Sequence, residues 1–269
     1  MRTALTPIER APTLTVLNLS RVRAATMSLS LGLAIWEALS RLLHVAFMPT
    51  VPSIVKSAWR LTLSGQVPEA LGASLMVLVI AYALAASIGV LAGVLIGRYR
   101  YVAIACDPYL DALLGVPNLL LVPLFFALFG LGRATEIAVV FVYAFVVIAV
   151  MTRSAAATID PLLIEMARAF GASDRQVLRH VVLPGALPTV MAGLRLGMGR
   201  AVRGLINAEM LIGSIGLGTL LRAYGNQFDA ASVFGILSVL VALALIVNGL
   251  LRALDRRLNA WIELPGSSR

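Results

Sequence analysis

The chain holds one cysteine, one lysine and two histidines among its 269 residues, and only 13% of it is charged. Each scarcity excludes something. Cys106 alone builds no disulfide framework, and Cys106, His44 and His180 are too few for a metal site, so no metal is expected within one chain. Lys56 lies in VPSIVKS with no glycine-rich backbone before it. A phosphate-cradling ATP loop needs that backbone, so this chain carries none. Soluble domains average about 25% charged residues. This chain has half that, is 60% hydrophobic with mean hydropathy +0.94, and cannot cover itself with polar surface. Its charge is mainly positive, 22 Lys and Arg against 13 Asp and Glu. The arginines flank apolar runs and form no stripe on a soluble fold. That argues against nucleic acid and for a membrane protein with basic cytoplasmic loops.

What is present is a succession of apolar runs, predicting an all-α, polytopic membrane protein with six transmembrane helices. Residues 1–25 read as a cytoplasmic tail, with no apolar core ending in a small-residue cleavage site. The first span covers about 25–47 and contains Glu37 and Arg41 at i,i+4 spacing, where they can pair with each other. A loop over 48–70 holds a short helix at Ser53–Leu63, with Trp59 suited to the membrane interface. The second span, 71–96, carries no charge. Its Gly89, Gly93 and Gly97 permit close helix approach, within the chain or between copies. After a basic turn at 98–107, a span over 113–131 contains Pro117 and Pro123. It is expected as one bent helix, lining a cavity or simply kinked by packing. The fourth and fifth spans are 137–151 and 189–212. The outer loop 213–229 and the sixth span, 230–250, complete a membrane domain over 26–258. A cytoplasmic C-terminal tail covers 259–269. With six crossings, fourteen Lys and Arg fall on the side of the termini, four on the other side and four within spans. The termini are therefore expected in the cytoplasm.

The long polar interval, 154–188, falls on that cytoplasmic side. Asp160 is placed to cap a helix with Pro161 at its first position. Leu162, Leu163, Met166 and Phe170 form one apolar stripe, and Gly171 is placed to end the helix with a left-handed residue. Ser173 and Gln176 make a capping-box pattern for a second helix, which Leu183-Pro184 is expected to stop. Composition leaves two readings open, an interfacial loop on lipid or a docking surface for a soluble partner.

Glu165, Ala167, Gly171, Val181, Leu183 and Pro184 fit the pattern E-A-A, three residues, G, nine residues, I, one residue, L-P. Met166 and Val181 are its two apolar departures. This EAA motif resembles the signature loop of the permease subunits of bacterial ABC importers. MPTVPSIV at 48–55, residues 107–132, VLPGALPTVMAGLRLGMG at 182–199 and AEMLIGSIGLGTLL at 208–221 resemble the branch that imports nitrate, taurine, alkanesulfonates and some thiamine-precursor pyrimidines. The resemblance implies a multi-pass protein of the bacterial cytoplasmic (inner) membrane, working as a homodimer in lipid. Two cytoplasmic ABC ATPase subunits and an extracytoplasmic solute-binding protein would complete it. ATP and Mg would sit on the ATPase, so this chain would be no enzyme and would hold no cofactor. The six motif residues would dock the loop on the ATPase.

The fifth span carries Arg200 and Arg203 where the branch usually has a Trp and no Arg. A buried Arg near mid-membrane is costly unless it faces water or a partner. Two readings stay open. Arg203, with Arg200, faces the pathway of a small anionic solute, or Arg203 is a structural ion pair with Glu37 or Glu209 or a polar contact inside the bundle. Asn207, Glu209, Met210, Pro117 and Pro123 are the other candidate pathway residues. A pyrimidine thiamine precursor or another small organic solute is the alternative cargo. An ATP-independent secondary transporter is the rival class, but such folds show internal repeats, and none is evident here.

Overall fold

A computed structural model of the chain describes residues 14–43, 45, 47–213 and 215–258. The described residues are helical throughout, without strands. Helices α1 (Leu14–Leu43), α2 (Val51–Leu63), α3 (Gln66–Arg98), α4 (Arg100–Gly115) and α5 (Val122–Phe129) are followed by α6 (Arg133–Ala157) and α7 (Pro161–Ala169). Then come α8 (Asp174–Val177), α9 (Leu183–Ile212), α10 (Leu217–Asn226) and α11 (Ala230–Leu258). Four helical stretches among the described residues are long and apolar enough to cross a membrane: α3, α6, the continuous run Asp174–Ile212, and Ala230–Asp255. A fifth arises if α4 and α5 are one broken crossing.

Helix α6 is the axis of the bundle. It lies between α3 and α9 and has the most buried of the apolar stretches. Glycines on both neighbours make that possible. A Cβ at Gly93 of α3 would lie 2.5 Å from the Thr152 side chain, and one at Gly197 of α9 would lie 2.5 Å from Ile148. Gly89 and Gly97 also face α6, so the small-residue ladder of α3 serves an intrachain contact. In lipid, helices associate through such close packing rather than through water exclusion. Val77, Ala81, Ala85, Val140, Ala144, Ile148, Ala201 and Leu205 form the core so made.

Helix α1 stands apart. Met27, Leu29, Leu31 and Leu42 are exposed, as a lipid-facing helix would be. It is tied to the rest at its C-terminal end. Trp36 Nε1 donates to the Pro49 carbonyl at 3.0 Å, and Ser40 Oγ to the Met48 carbonyl at 2.7 Å. Glu37 accepts from Arg41 Nε at 2.7 Å, the expected pair, and from the Val51 amide at 2.7 Å. The helix begins at Leu14, inside the stretch expected as a tail, while residues 1–13 and the tail 259–269 lie outside the described residues.

The proline-bearing stretch 113–131 departs from expectation. It is not one bent helix over 113–131. Helix α4 already starts at Arg100 and carries Pro108 within it, and its axis turns by 103° into α5 through a 3-10 turn at Asn118–Leu121. Pro117 cannot donate to the preceding turn and disfavours helical geometry in the residue before it. Val116 is accordingly extended, and Pro123 falls in the first turn of α5, where it starts a helix rather than kinks one. The stretch 213–229, expected as a loop, also holds more structure than expected, since α10 lies within it.

Candidate functional site

The polar interval folds as its caps direct. The Asp160 carboxylate accepts from the Leu162 amide at 2.9 Å, with Pro161 opening α7. Gly171, at φ +80°, closes that helix. The Gly171 amide bonds the Arg168 carbonyl at 2.9 Å and the Ala172 amide bonds the Ala167 carbonyl at 3.0 Å, the paired bonds of a Schellman turn. Ser173 then makes a full capping box with Gln176. Beneath the turn, Ala156, Val177 and Val182 form a small core, joined by the half-buried Ala167, Ala172 and Val181. The loop is thus a preformed unit.

The six motif residues divide by role in this unit. Ala167 and Val181 fill its core, Gly171 makes its turn, and Glu165 points outward. Leu183 and Pro184 do not stop the second helix. From Asp174 the chain runs through a π turn at Leu178–Val182 straight into α9. Pro184 lacks the N–H that would bond His180, and the widened turn, with the Leu183 amide reaching the Leu178 carbonyl, relieves its ring. Pro188 lies further inside α9. The loop is therefore rigidly continuous with a membrane helix.

No residue of α7 is buried. Leu162, Leu163, Met166 and Phe170 are all exposed, Phe170 at 87%. Arg168 Nη2 donates to Asp174 Oδ1 at 2.7 Å, and Arg98, at the end of α3, lies 4.0 Å from the same carboxylate. The Arg168 guanidinium, helped by Arg98, holds the Asp174 carboxyl below the usual carboxylate range. Thus the end of α3, where the positive side was expected, and the loop occupy one end of the bundle. Arg153 pairs with Asp107, and Arg195 with Asp255.

From the middle of the bundle to its other end, the structure separates the candidate pathway residues. Arg200, Arg203 and Met210 are exposed on one face of α9. Asn207 is half-buried and donates to Tyr143 Oη at 3.2 Å. Glu209 lies on another face and is fully buried. It accepts from Ser74 Oγ at 2.5 Å and from the Gly218 amide at 2.7 Å, while the Leu217 amide donates to Ser74 Oγ at 3.0 Å. The carboxylate thus sits at the N-terminus of α10, where free amides and the helix dipole favour an anion. Side chains at Gly216 or Gly218 would collide with it. Sequence reasoning placed Glu209 with Arg203; the GSIGLG stretch that follows was the available signal for this buried cap. Pro117 is exposed at the break before α5, and Pro123 borders a recess with Phe126, Leu131, Leu211 and Ile212. Among the described residues, no group of His, Cys, Asp and Glu is arranged to hold a metal.

Comparison with known proteins agrees with this arrangement. Residues 85–260 match the family described as binding-protein-dependent transport system inner membrane component. The taurine transport system permease protein TauC of Escherichia coli is 29% identical over 251 residues, covering 89% of this chain and 90% of that one. The putative aliphatic sulfonates transport permease protein SsuC of Bacillus subtilis is 29% identical over 231 residues, covering 85% and 84%. Among solved structures, a chain of the inward-facing MetNI methionine ABC transporter superposes with a TM-score of 0.65 at 23% identity, over 73% of this chain and 98% of that one. That likeness extends to the fold. The chain is an integral membrane protein and belongs to the binding-protein-dependent transport system inner membrane component family, the permease subunits of ABC importers.

Proposed function

We propose that the chain crosses the bacterial cytoplasmic membrane six times, with both termini and the loop 154–188 in the cytoplasm. It works there as a homodimer that couples ATP hydrolysis on separate ATPase subunits to solute entry. Helix α1 and the broken pair α4–α5 supply the two crossings beyond the four continuous apolar stretches. An external solute-binding protein delivers the cargo, and this chain does no covalent chemistry. Its contribution is a shift between two membrane conformations.

The observation that carries this reading is the exposed apolar stripe of α7 on a loop that is otherwise internally finished. Every cap of the loop is satisfied and its own core is filled. Leu162, Leu163, Met166 and Phe170 contribute nothing to that core, and an amphipathic helix seated in a groove is a standard docking mode. Because the loop is continuous with α9, a push on α7 is delivered to a membrane helix without a hinge at Pro184.

Purification of the tagged protein in mild detergent tests the proposal. The native chain is expected to bring down an ABC ATPase, identified by mass spectrometry, in a complex that hydrolyses ATP. Glu165→Arg and Gly171→Pro are expected to lose it. A native complex without ATPase, under conditions that preserve a control importer, would overturn the reading. Unchanged recovery from both variants would remove the loop from it.

A further inference from the structure

Arg200 and Arg203 sit where an unpartnered charge is least tolerated. Gly204 packs on the Tyr143 ring, a Cβ there lying 2.8 Å from Tyr143 Cγ, and Tyr143 is near the middle of the 25-residue α6. The ion pair of Arg195 with Asp255 lies eight residues towards the cytoplasm, roughly 12 Å along the helix. Ile212, the outer end of α9, lies nine residues the other way. Arg203 is therefore at mid-membrane depth, and Arg200 one turn below it.

The two carboxylates offered by the sequence as partners for Arg203 are committed elsewhere. Glu209 is buried with Ser74 and Gly218, and Glu37 is held by Arg41 and the Val51 amide. Among the described residues, neither Arg200 nor Arg203 forms an ion pair, and both are exposed on the surface of the single chain. That surface cannot face hydrocarbon at this depth without a large penalty. It faces water, or another protein surface that encloses water.

We propose that Arg200 and Arg203 of two copies of this chain line the pathway between them and form a constriction that passes small oxyanions and repels cations. This rests on the importer reading above. Two copies bring four guanidinium groups to two adjacent depths, about one helical turn apart. Each guanidinium presents a planar fork that fits the paired oxygens of a sulfonate or carboxylate. Several equivalent, solvated positions hold an anion only weakly, as passage requires. Gly199 leaves open space beside Arg200, since a Cβ there would meet no atom within 4 Å. Asn207 donates to Tyr143 Oη at 3.2 Å, so its amide is engaged within the chain and does not compete with the arginines for a passing anion. Their spacing of three residues puts both side chains on one face of α9.

Thiol reactivity in membrane vesicles holding the whole importer tests this. In a Cys106→Ser background, Arg203→Cys is labelled with anionic sulfonatoethyl and cationic trimethylammonioethyl methanethiosulfonates. Gln227→Cys in the outer loop is the reference. Both reagents are expected to modify the Arg203→Cys thiol. The anionic-to-cationic rate ratio is expected to exceed that of the reference about tenfold, the lower end of what one-signed clefts achieve. Adding Arg200→Gln is expected to reduce that excess, and adding Arg200→Lys to keep most of it. A thiol that reacts only with an apolar maleimide, or a ratio equal to the reference, overturns the proposal. Recovery of the ATPase with the same variants separates the two failures. ATPase retained with no charge preference rejects the constriction alone, whereas native chain without ATPase rejects the importer beneath it.

Discussion

The two ends of α9 are finished differently. At its C-terminal end, the outer end in the proposed orientation, Glu209 is fully buried, and it ties α9 to α3 through Ser74 and to α10 through Gly218. At its N-terminal end, the inner end in that orientation, α9 runs on into a loop whose first helix buries none of its own residues. One end is completed by the chain itself; the other is complete in its backbone but unfinished in its apolar surface. The difference teaches where each kind of failure will appear. Damage at the outer end should cost folding. Damage at the inner end should cost association while the bundle stays intact.

The largest effect is expected from Glu209→Ala. It strands the Ser74 hydroxyl and the Gly218 amide in a buried void, at about 3 kcal/mol. Thermal unfolding in detergent should show it as a clear drop in midpoint, with Glu209→Gln, which keeps the shape, losing less. Gly218→Ala comes next. Its Cβ would lie 2.7 Å from Glu209 Cβ and 2.9 Å from the Ile206 carbonyl, overpacking that typically costs about 1–3 kcal/mol. If either variant unfolds like the native chain, the outer end is not an anchor and the contrast collapses.

Smaller effects are expected at the inner end. Gly171→Ala places a Cβ at φ +80°, a strain of about 1–2 kcal/mol. Ser173→Ala removes a helix cap worth about 1 kcal/mol. Both should leave the unfolding midpoint of the bundle nearly unchanged. Both should raise amide exchange in 160–182 and weaken ATPase recovery. A midpoint drop as large as that of Glu209→Ala would show the loop and bundle to be one cooperative unit.

The smallest effect concerns pH. Asp174 titrates below the usual carboxylate range because Arg168 donates to it. A lowered folded value means that its contribution is complete above the ordinary value of about 4. It is lost only as the pH falls through the still lower folded value. Exchange protection of the loop should therefore hold from neutral pH down to about 4 and decline below it. Asp174→Asn should abolish the decline.

Much of the inner end was legible because its determinants are local. Asp160, Gly171 and the Ser173–Gln176 pair act within a few residues, and the structure realises each cap. The expected stop at Pro184 failed for the opposite reason. A proline is normally a helix breaker, but five residues upstream widen into a π turn that accommodates it. The sharp break between α4 and α5 was legible as prolines but not as an angle, because neighbouring helices decide how far such a break bends.

The sequence by itself determined the membrane class and the caps of the loop. These depend on composition and on spacings within one or two helical turns. Only the tertiary structure decided that Glu209 and Arg203, six residues apart on α9, meet different surroundings. One is enclosed by α3 and α10, and the other is left open. A helical wheel gives the angle between two residues but not which side meets protein. That is fixed by where Gly197 and Gly204 let α9 close on α6.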